Sequence, residues 1–190
     1  MIKAIIGLGN IGRKYEQTRH NVGFDLIDIL SQELGSSELS ESQYSLIRKV
    51  DYQDSQIYLV KPTRMMNRSG LAAGELTETM GIAASEFLVI VDDFNLPFGS
   101  IRIRPRGSSA GHNGLESIIE DLGSEDFPRL RLGIGPIPDE TNKTDFVLSK
   151  FGPKEQLELN KVLGVAVEAI IFALGHGLEM AMSKYNYNPA

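Results

Sequence analysis

The sequence contains no cysteine, which excludes a disulfide framework and a cysteine nucleophile. Histidine is scarce as well. Zinc would have to rely on His20, His112 and His176, which lack the close spacing of a ligand set, so no metal site is expected. No apolar run approaches the ~20 residues of a membrane span. The start shows no basic segment followed by a long apolar stretch, so the expectation is a soluble, cytoplasmic protein with no membrane partner. Positive charge is in deficit: 19 Lys and Arg stand against 25 Asp and Glu, for a net charge of −6. That argues against indiscriminate nucleic-acid binding, while leaving room for a local basic face within an acidic whole. Repeats, low-complexity segments and any evident domain boundary are also missing.

What is present suffices for a well-buried core: 190 residues, 42% of them hydrophobic and 23% charged. One domain over residues 1–190 is expected. Residues 2–8 read as a buried strand. Val22, Leu26, Ile27, Leu30 and Leu34 carry helical spacing, with Asn21 placed as the N-cap, and a loop, GSSELSES, comes next. Residues 44–50 and 56–60 read as a hairpin turning at DYQDS. Then come the loop KPTRMMN, a helix over 69–80, the apolar strand FLVIV ending in Asp92 and Asp93, and a strand over 100–104. A glycine-rich loop, RPRGSSAGHNG, leads to a short helix over 115–122, a strand over 129–134 and a long helix from Pro153. Strands alternating with helices predict an α/β fold with a mixed, partly parallel sheet.

The opening GLGNIG has the G-x-G-x-x-G spacing of a dinucleotide-binding loop, in which the last glycine starts a helix that receives the pyrophosphate. Here Gly12 is followed by RKYEQTRHN, a polar run without helical period. The residue at ribose-acid distance, Asp28, falls inside the helix that starts only at Val22. The reading is therefore a strand, a tight turn presenting Asn10, and a loop delivering Tyr15 and His20, with no cofactor. A second candidate, GSSAG, matches the G-x-S-x-G nucleophile elbow at Ser109. The approach IRIRPR is a poor central strand because Pro105 cannot donate to a ladder, and the elbow would need His176 as its base.

In open α/β sheets, ligands bind beyond the carboxyl ends of strands. Asn10, Asn67, Asp92 and Asn113 each lie just past such an end, and they form one site if those ends share an edge. His20 can join them from before the first helix, where the positive end of the helix dipole favours a neutral imidazole able to act as a base. Taken singly, each asparagine is equally at home as a turn or capping residue. Arg102, Arg104 and Arg106 alternate with Ile101, Ile103 and Pro105, and Arg129 and Arg131 repeat the pattern. Such strands turn their arginines to one face, either as an ordinary solvated surface or as a stripe that tracks phosphates.

GLGNIGRKYEQTRHNVG, KPTRMMNRSG, DDFNLPFG, GHNG with its following helix, RLRLGIG and DFVLSKF, in this order, resemble the bacterial-type peptidyl-tRNA hydrolases. The resemblance implies that family's fold, with helices on both faces of the sheet. It also implies cleavage of the ester joining a peptide to the 3′-terminal ribose of tRNA, with no metal or cofactor. By position it makes His20 the base, Asp92 the carboxylate that orients it, and Asn10 a further catalytic group. Asn67 and Asn113 hold the peptide with Asn10, Tyr15 and Met66 shape the cleft, and His112 joins the substrate-binding set. Arg104, grouped with Arg102, Arg106 and Arg131, falls to tRNA. The implied partner is peptidyl-tRNA, gripped at its acceptor stem and peptide by a monomer without an obligate protein partner. Two departures stand out: Ile11 occupies a position that is usually proline, and SSA replaces glycines before GHNG. A relative that only binds RNA is the alternative, and it would lack His20 or Asp92.

Overall fold

The computed structural model describes residues 1–37 and 39–186. In chain order the elements are β1 (Ala4–Gly7), α1 (Val22–Glu33), β2 (Ser40–Glu41), β3 (Ser45–Tyr52), β4 (Ser55–Pro62), α2 (Gly70–Met80), β5 (Phe87–Pro97) and β6 (Ile101–Arg104). They continue with α3 (Asn113–Leu122), β7 (Arg129–Gly135), α4 (Lys143–Leu148), α5 (Pro153–His176) and α6 (Leu178–Tyr185). The strands form one seven-stranded sheet in the order β2-β3-β4-β1-β5-β7-β6. Its centre, β4-β1-β5-β7, is parallel, and its flanks are antiparallel. Among the described residues no helix is long and apolar enough to cross a membrane.

The parallel centre is covered on both sides, as its continuous apolar strands require. Ile5, Leu59, Leu88, Ile90, Leu130 and Leu132 face α1 and α5, where Leu26, Leu30, Leu163, Ala166 and Ile170 complete one core. Alternate residues of the same strands, including Ala4, Ile6, Val60, Val89 and Val91, face α2 and α3 and pack with Ala73, Leu76, Leu115 and Ile118. The period-2 alternation thus splits β1, β4 and β5 between two cores, while β7 gives its apolar residues to the first alone.

Three expectations are corrected. The strand predicted as FLVIV continues to Pro97, because pairing with β7 carries Asp92 and Asp93 inside the sheet opposite Leu132 and Gly133. The loop expected at 35–42 contains β2, an edge strand paired with β3, while its Glu38 lies outside the described residues. Asn21 sits at the N-cap position of α1 but makes no side-chain cap bond. Its amide is committed elsewhere, to the backbone of Asn10.

β1 is the topological switch. The chain leaves it towards β4 on one side and returns to β5 on the other, which opens a crevice at its carboxyl end. The glycines of GLGNIG serve this junction. A Cβ on Gly7 would lie 2.3 Å from the Gly23 carbonyl oxygen, and one on Gly9 would lie 2.7 Å from the Phe24 ring. Gly12 faces open space, but its φ of 109° is a backbone conformation suited to glycine. It leads into a single 3₁₀ turn, Arg13–Tyr15, rather than a phosphate-binding helix.

Candidate active site

The crevice at the end of β1 is a cleft of about 230 Å³ whose lining includes Asn10, Tyr15, His20, Met66, Asn67, Asp92, His112 and Asn113. At its floor Asp92 is buried, and one of its oxygens, Oδ1, receives both histidines: His20 Nδ1 at 2.8 Å and His112 Nε2 at 3.1 Å. Burial by itself would raise the Asp92 carboxyl, but the electrostatic attraction and hydrogen bonds of the two histidine N–H groups facing it outweigh burial and hold the group well below the usual carboxylate range. An ionised carboxylate only accepts, so both histidines donate to it. His20 therefore carries its proton on Nδ1, which leaves the Nε2 lone pair free to take another.

His112 is placed by the helix it caps. Its Nδ1 accepts the backbone N–H groups of Gly114 at 3.1 Å and Leu115 at 3.3 Å, two of the orphan donors at the start of α3. The other ring nitrogen is thereby fixed as the N–H that donates to Asp92. His20, Asp92 and His112 also offer three potential metal-ligand atoms within 4.8 Å of one another, a convergence that their spacing along the chain did not reveal. A cation would need lone pairs that the His112 cap and the two hydrogen bonds to Asp92 already use, so the cluster fits a hydrogen-bonded relay better than a ligand set.

Asn10 is locked by three bonds. Asn21 Oδ1 accepts its backbone N–H at 2.8 Å, Asn21 Nδ2 donates to its carbonyl at 2.9 Å, and its own Oδ1 accepts the Met66 N–H at 2.7 Å. With the side-chain oxygen committed, Nδ2 is left as a donor for the cleft. The last of these bonds joins the loops after β1 and β4. Asn67 and Asn113 are exposed along the cleft, and Tyr15 is half-buried there.

A family model described as peptidyl-tRNA hydrolase matches residues 4–190. The chain belongs to the peptidyl-tRNA hydrolase family. The peptidyl-tRNA hydrolase of Hydrogenobaculum sp. is 44% identical over 186 residues, covering 98% of each chain, and that of Porphyromonas gingivalis is 41% identical over 182 residues, covering 96% of this chain and 98% of its own. The crystal structure of the peptidyl-tRNA hydrolase from Acinetobacter baumannii superposes with a TM-score of 0.92 at 30% identity, covering 100% of this chain and 97% of that one.

Within this peptidyl-tRNA hydrolase fold, the ends of β1 and β4 meet Asp92, which stands inside β5, at one edge, and the end of β6 does not. β6 runs antiparallel to β7, so its carboxyl end points away from the cleft. Asn113 reaches the site because residues 105–112 run back towards it. That path is pinned by Arg129, which was expected on the surface and is instead 2% exposed. Its guanidinium donates to the carbonyls of Gly107, Ser108, Glu125 and Phe127, and burial with Arg131 nearby pushes it down to about 10.

The other arginines divide. Arg102 is half-buried and Arg104 exposed, with Ile101 and Ile103 in the core, as the alternation predicts. Arg102 lies opposite Arg131 and Arg104 opposite Arg129, so the row leads from the level of Val91 away from the cleft. Arg131 pairs with Asp93 at 2.7 Å, and Arg106 lies 3.7 Å from Asp126. Ser109 donates to Glu116 and does not line the cleft, which removes the elbow reading. His176 ends α5, stacked on Phe172.

Sequence reasoning missed one wall of the cleft: Phe94 from the extension of β5, and Lys143, Thr144, Val147 and Leu148 from α4. α4 has six residues, too few for a helical period to show. Its one local signal was Asn142, whose Oδ1 accepts the Thr144 N–H at 2.8 Å as an N-cap.

Proposed function

We propose that this chain hydrolyses the ester between the peptide and the 3′-terminal ribose of peptidyl-tRNA, releasing tRNA and peptide, with His20 as general base. The observation that carries the mechanism is the 2.8 Å bond from His20 Nδ1 to Asp92, which presents Nε2 to a water in the cleft. Asp92 orients the ring and stabilises the imidazolium formed as the water attacks. Asn10 Nδ2 is a fixed donor for charge developing on the ester carbonyl, and Asn67 and Asn113 grip peptide amides without reading side chains. Tyr15 and Met66 shape the walls. His112 acts through Asp92 rather than on substrate, which revises its place in the substrate-binding set. The ribose oxygen leaves with the proton that the imidazolium returns, so no covalent intermediate is required.

Arg102 and Arg104, with Arg131 if it exchanges Asp93 for a phosphate, are suited to the acceptor stem, and Arg106 to a peripheral contact. The chain acts in the cytoplasm as a monomer with one catalytic domain over residues 1–190, the last four of which lie outside the described residues. The test is incubation with N-acetyl-aminoacyl-tRNA in the presence of a chelator, following deacylated tRNA. Release at an undiminished rate supports the reading, and failure to release tRNA with or without divalent ions sinks it.

A further inference from the structure

In this acidic chain of 19 Lys and Arg, some cations near the sheet pair with an acid among the described residues: Lys3 with Glu86, Arg19 with Glu155, Lys61 with Asp28 and Arg131 with Asp93. The loops after β1 and β4 gather cations that have no such partner close to the cleft. Arg13 and Lys14 form the 3₁₀ turn with Tyr15, and Arg64 and Arg68 flank Met65, Met66 and Asn67. All four are exposed, and none makes an ion pair among the described residues. Residues 63–69 contain no acid, and residues 8–21 contain only Glu16. Because the Met66 N–H is bonded to Asn10 Oδ1, these loops form one lip of the cleft. Two of the cations are also oriented: Lys14 Nζ sits 4.7 Å from the Tyr15 ring centroid, while Arg64 lies 5.4 Å from the Tyr44 ring centroid and donates to the Gln43 carbonyl at 3.3 Å.

The sheet order places this lip on the β4 side of Asp92, whereas Arg102 and Arg104 stand on the β6 side. Like charges gathered on one rim repel one another, and a polyanion laid across them relieves that repulsion and releases its counterions. A cleft of about 230 Å³ is far too small for a duplex. The reacting ester stands at the 3′ end of a strand, so the phosphates nearest the cleft are those of the terminal nucleotides. We propose that Arg13, Lys14, Arg64 and Arg68 form a second phosphate-binding surface, which holds the single-stranded 3′ end of the tRNA as its ester enters the cleft. This rests on the reading of the chain as a hydrolase of peptidyl-tRNA.

The test is fluorescence anisotropy with a 5′-fluorescein-labelled single-stranded RNA tetranucleotide ending in CCA, titrated at several salt concentrations. The combined Arg13→Gln, Arg64→Gln, Arg68→Gln variant should bind about tenfold more weakly at low salt. Its dependence of log Kd on log salt should be flatter by roughly 0.7 for each phosphate that the variant no longer neutralises. Lys161→Gln, on α5 beside Glu158, should match the wild type. Wild-type affinity and slope in the combined variant overturn the proposal, as does a lack of wild-type binding at low salt. An equal loss on a blunt RNA hairpin overturns the single-strand assignment. Hydrolysis of N-acetyl-aminoacyl-tRNA by the wild type is scored separately. Rim-dependent binding without cleavage would fault the parent reading alone, and cleavage with an unaltered rim variant would fault this proposal alone.

Discussion

His20 and Asp92 divide the proposed chemistry between an exchangeable proton and a fixed charge. Asp92 is held far below the ordinary carboxylate range by the two histidines it faces, so it serves as the fixed charge against which the His20 ring is held. Single-turnover hydrolysis at saturating enzyme reads the chemical step directly. His20→Ala should lower that rate by about two to four orders of magnitude, the usual worth of a general base, roughly 3 to 5 kcal/mol at 1.36 per tenfold. Asp92→Asn should cost less, since the base remains but its orientation and charge stabilisation suffer. If folded His20→Ala protein kept near wild-type rates, the mechanism would be wrong even with the substrate right.

The junction of β1 with α1 shows how an element positions such residues. Gly23 lies in the first turn of α1, where a Cβ would stand 2.5 Å from the Leu8 oxygen and 2.8 Å from the Ile90 oxygen. Glycine to alanine inside a helix ordinarily gains up to about 1 kcal/mol. Here the obstacles are backbone atoms that cannot swing aside, and overpacking of this kind costs about 1–3 kcal/mol. Gly23→Ala should therefore lower stability in denaturant melts and also reduce kcat, because Leu8 leads directly into Asn10. Gly164→Ala in α5, where a Cβ meets nothing within 4 Å, should be neutral or stabilising. Equal effects of the two substitutions would refute the close-approach account. At this scale the longer amphipathic helices and apolar strands were legible from the sequence, while α4 and the buried extension of β5 were not. A helix of six residues or a pair of aspartates is too short to show a period.

Across the whole molecule, Arg19 ties the loop carrying His20 to the start of α5. Its guanidinium lies between Phe146 and Phe151, with ring centroids at 4.7 and 4.6 Å, and grips both Glu155 oxygens at 2.8 and 2.7 Å. Backbone pairing reinforces the tie, with Arg19 N–H donating to the Ser149 carbonyl at 3.0 Å. Burial alone would raise the Glu155 carboxyl, but Arg19 and the Gly152 N–H hold it below its ordinary value. A depressed carboxyl contributes stability that is present above the unfolded pKa and lost as pH falls through the folded one. Glu155→Gln should thus destabilise the neutral protein by about 1 kcal/mol, a figure discounted because the Glu155 side chain is 38% exposed. The gap should close on acidification as pH falls through the lowered folded-state value and Glu155 protonates, as read by denaturant midpoints across pH. A gap unchanged in acid would show that the ion pair contributes nothing.

Hydrophobic period is a local property, so the order of residues alone was enough to set the α/β class, the main helices and the core-facing side of β6, where Ile101 and Ile103 are buried. It also singled out His20 and Asp92 as candidates for base and orienting carboxylate, because both sit in long motifs whose order along the chain is specific. Partners across the sheet depend instead on strand order and direction, which the burial of both faces decides. It took the folded molecule to turn β6 against β7, to draw Arg129 inward so that it holds the returning loop, and to make His112 both the cap of α3 and the second donor to Asp92. Folding also set the cations of two separate loops on one lip of the cleft, since the Asn10–Met66 bond joins segments 56 residues apart, a distance over which no pattern in the sequence repeats.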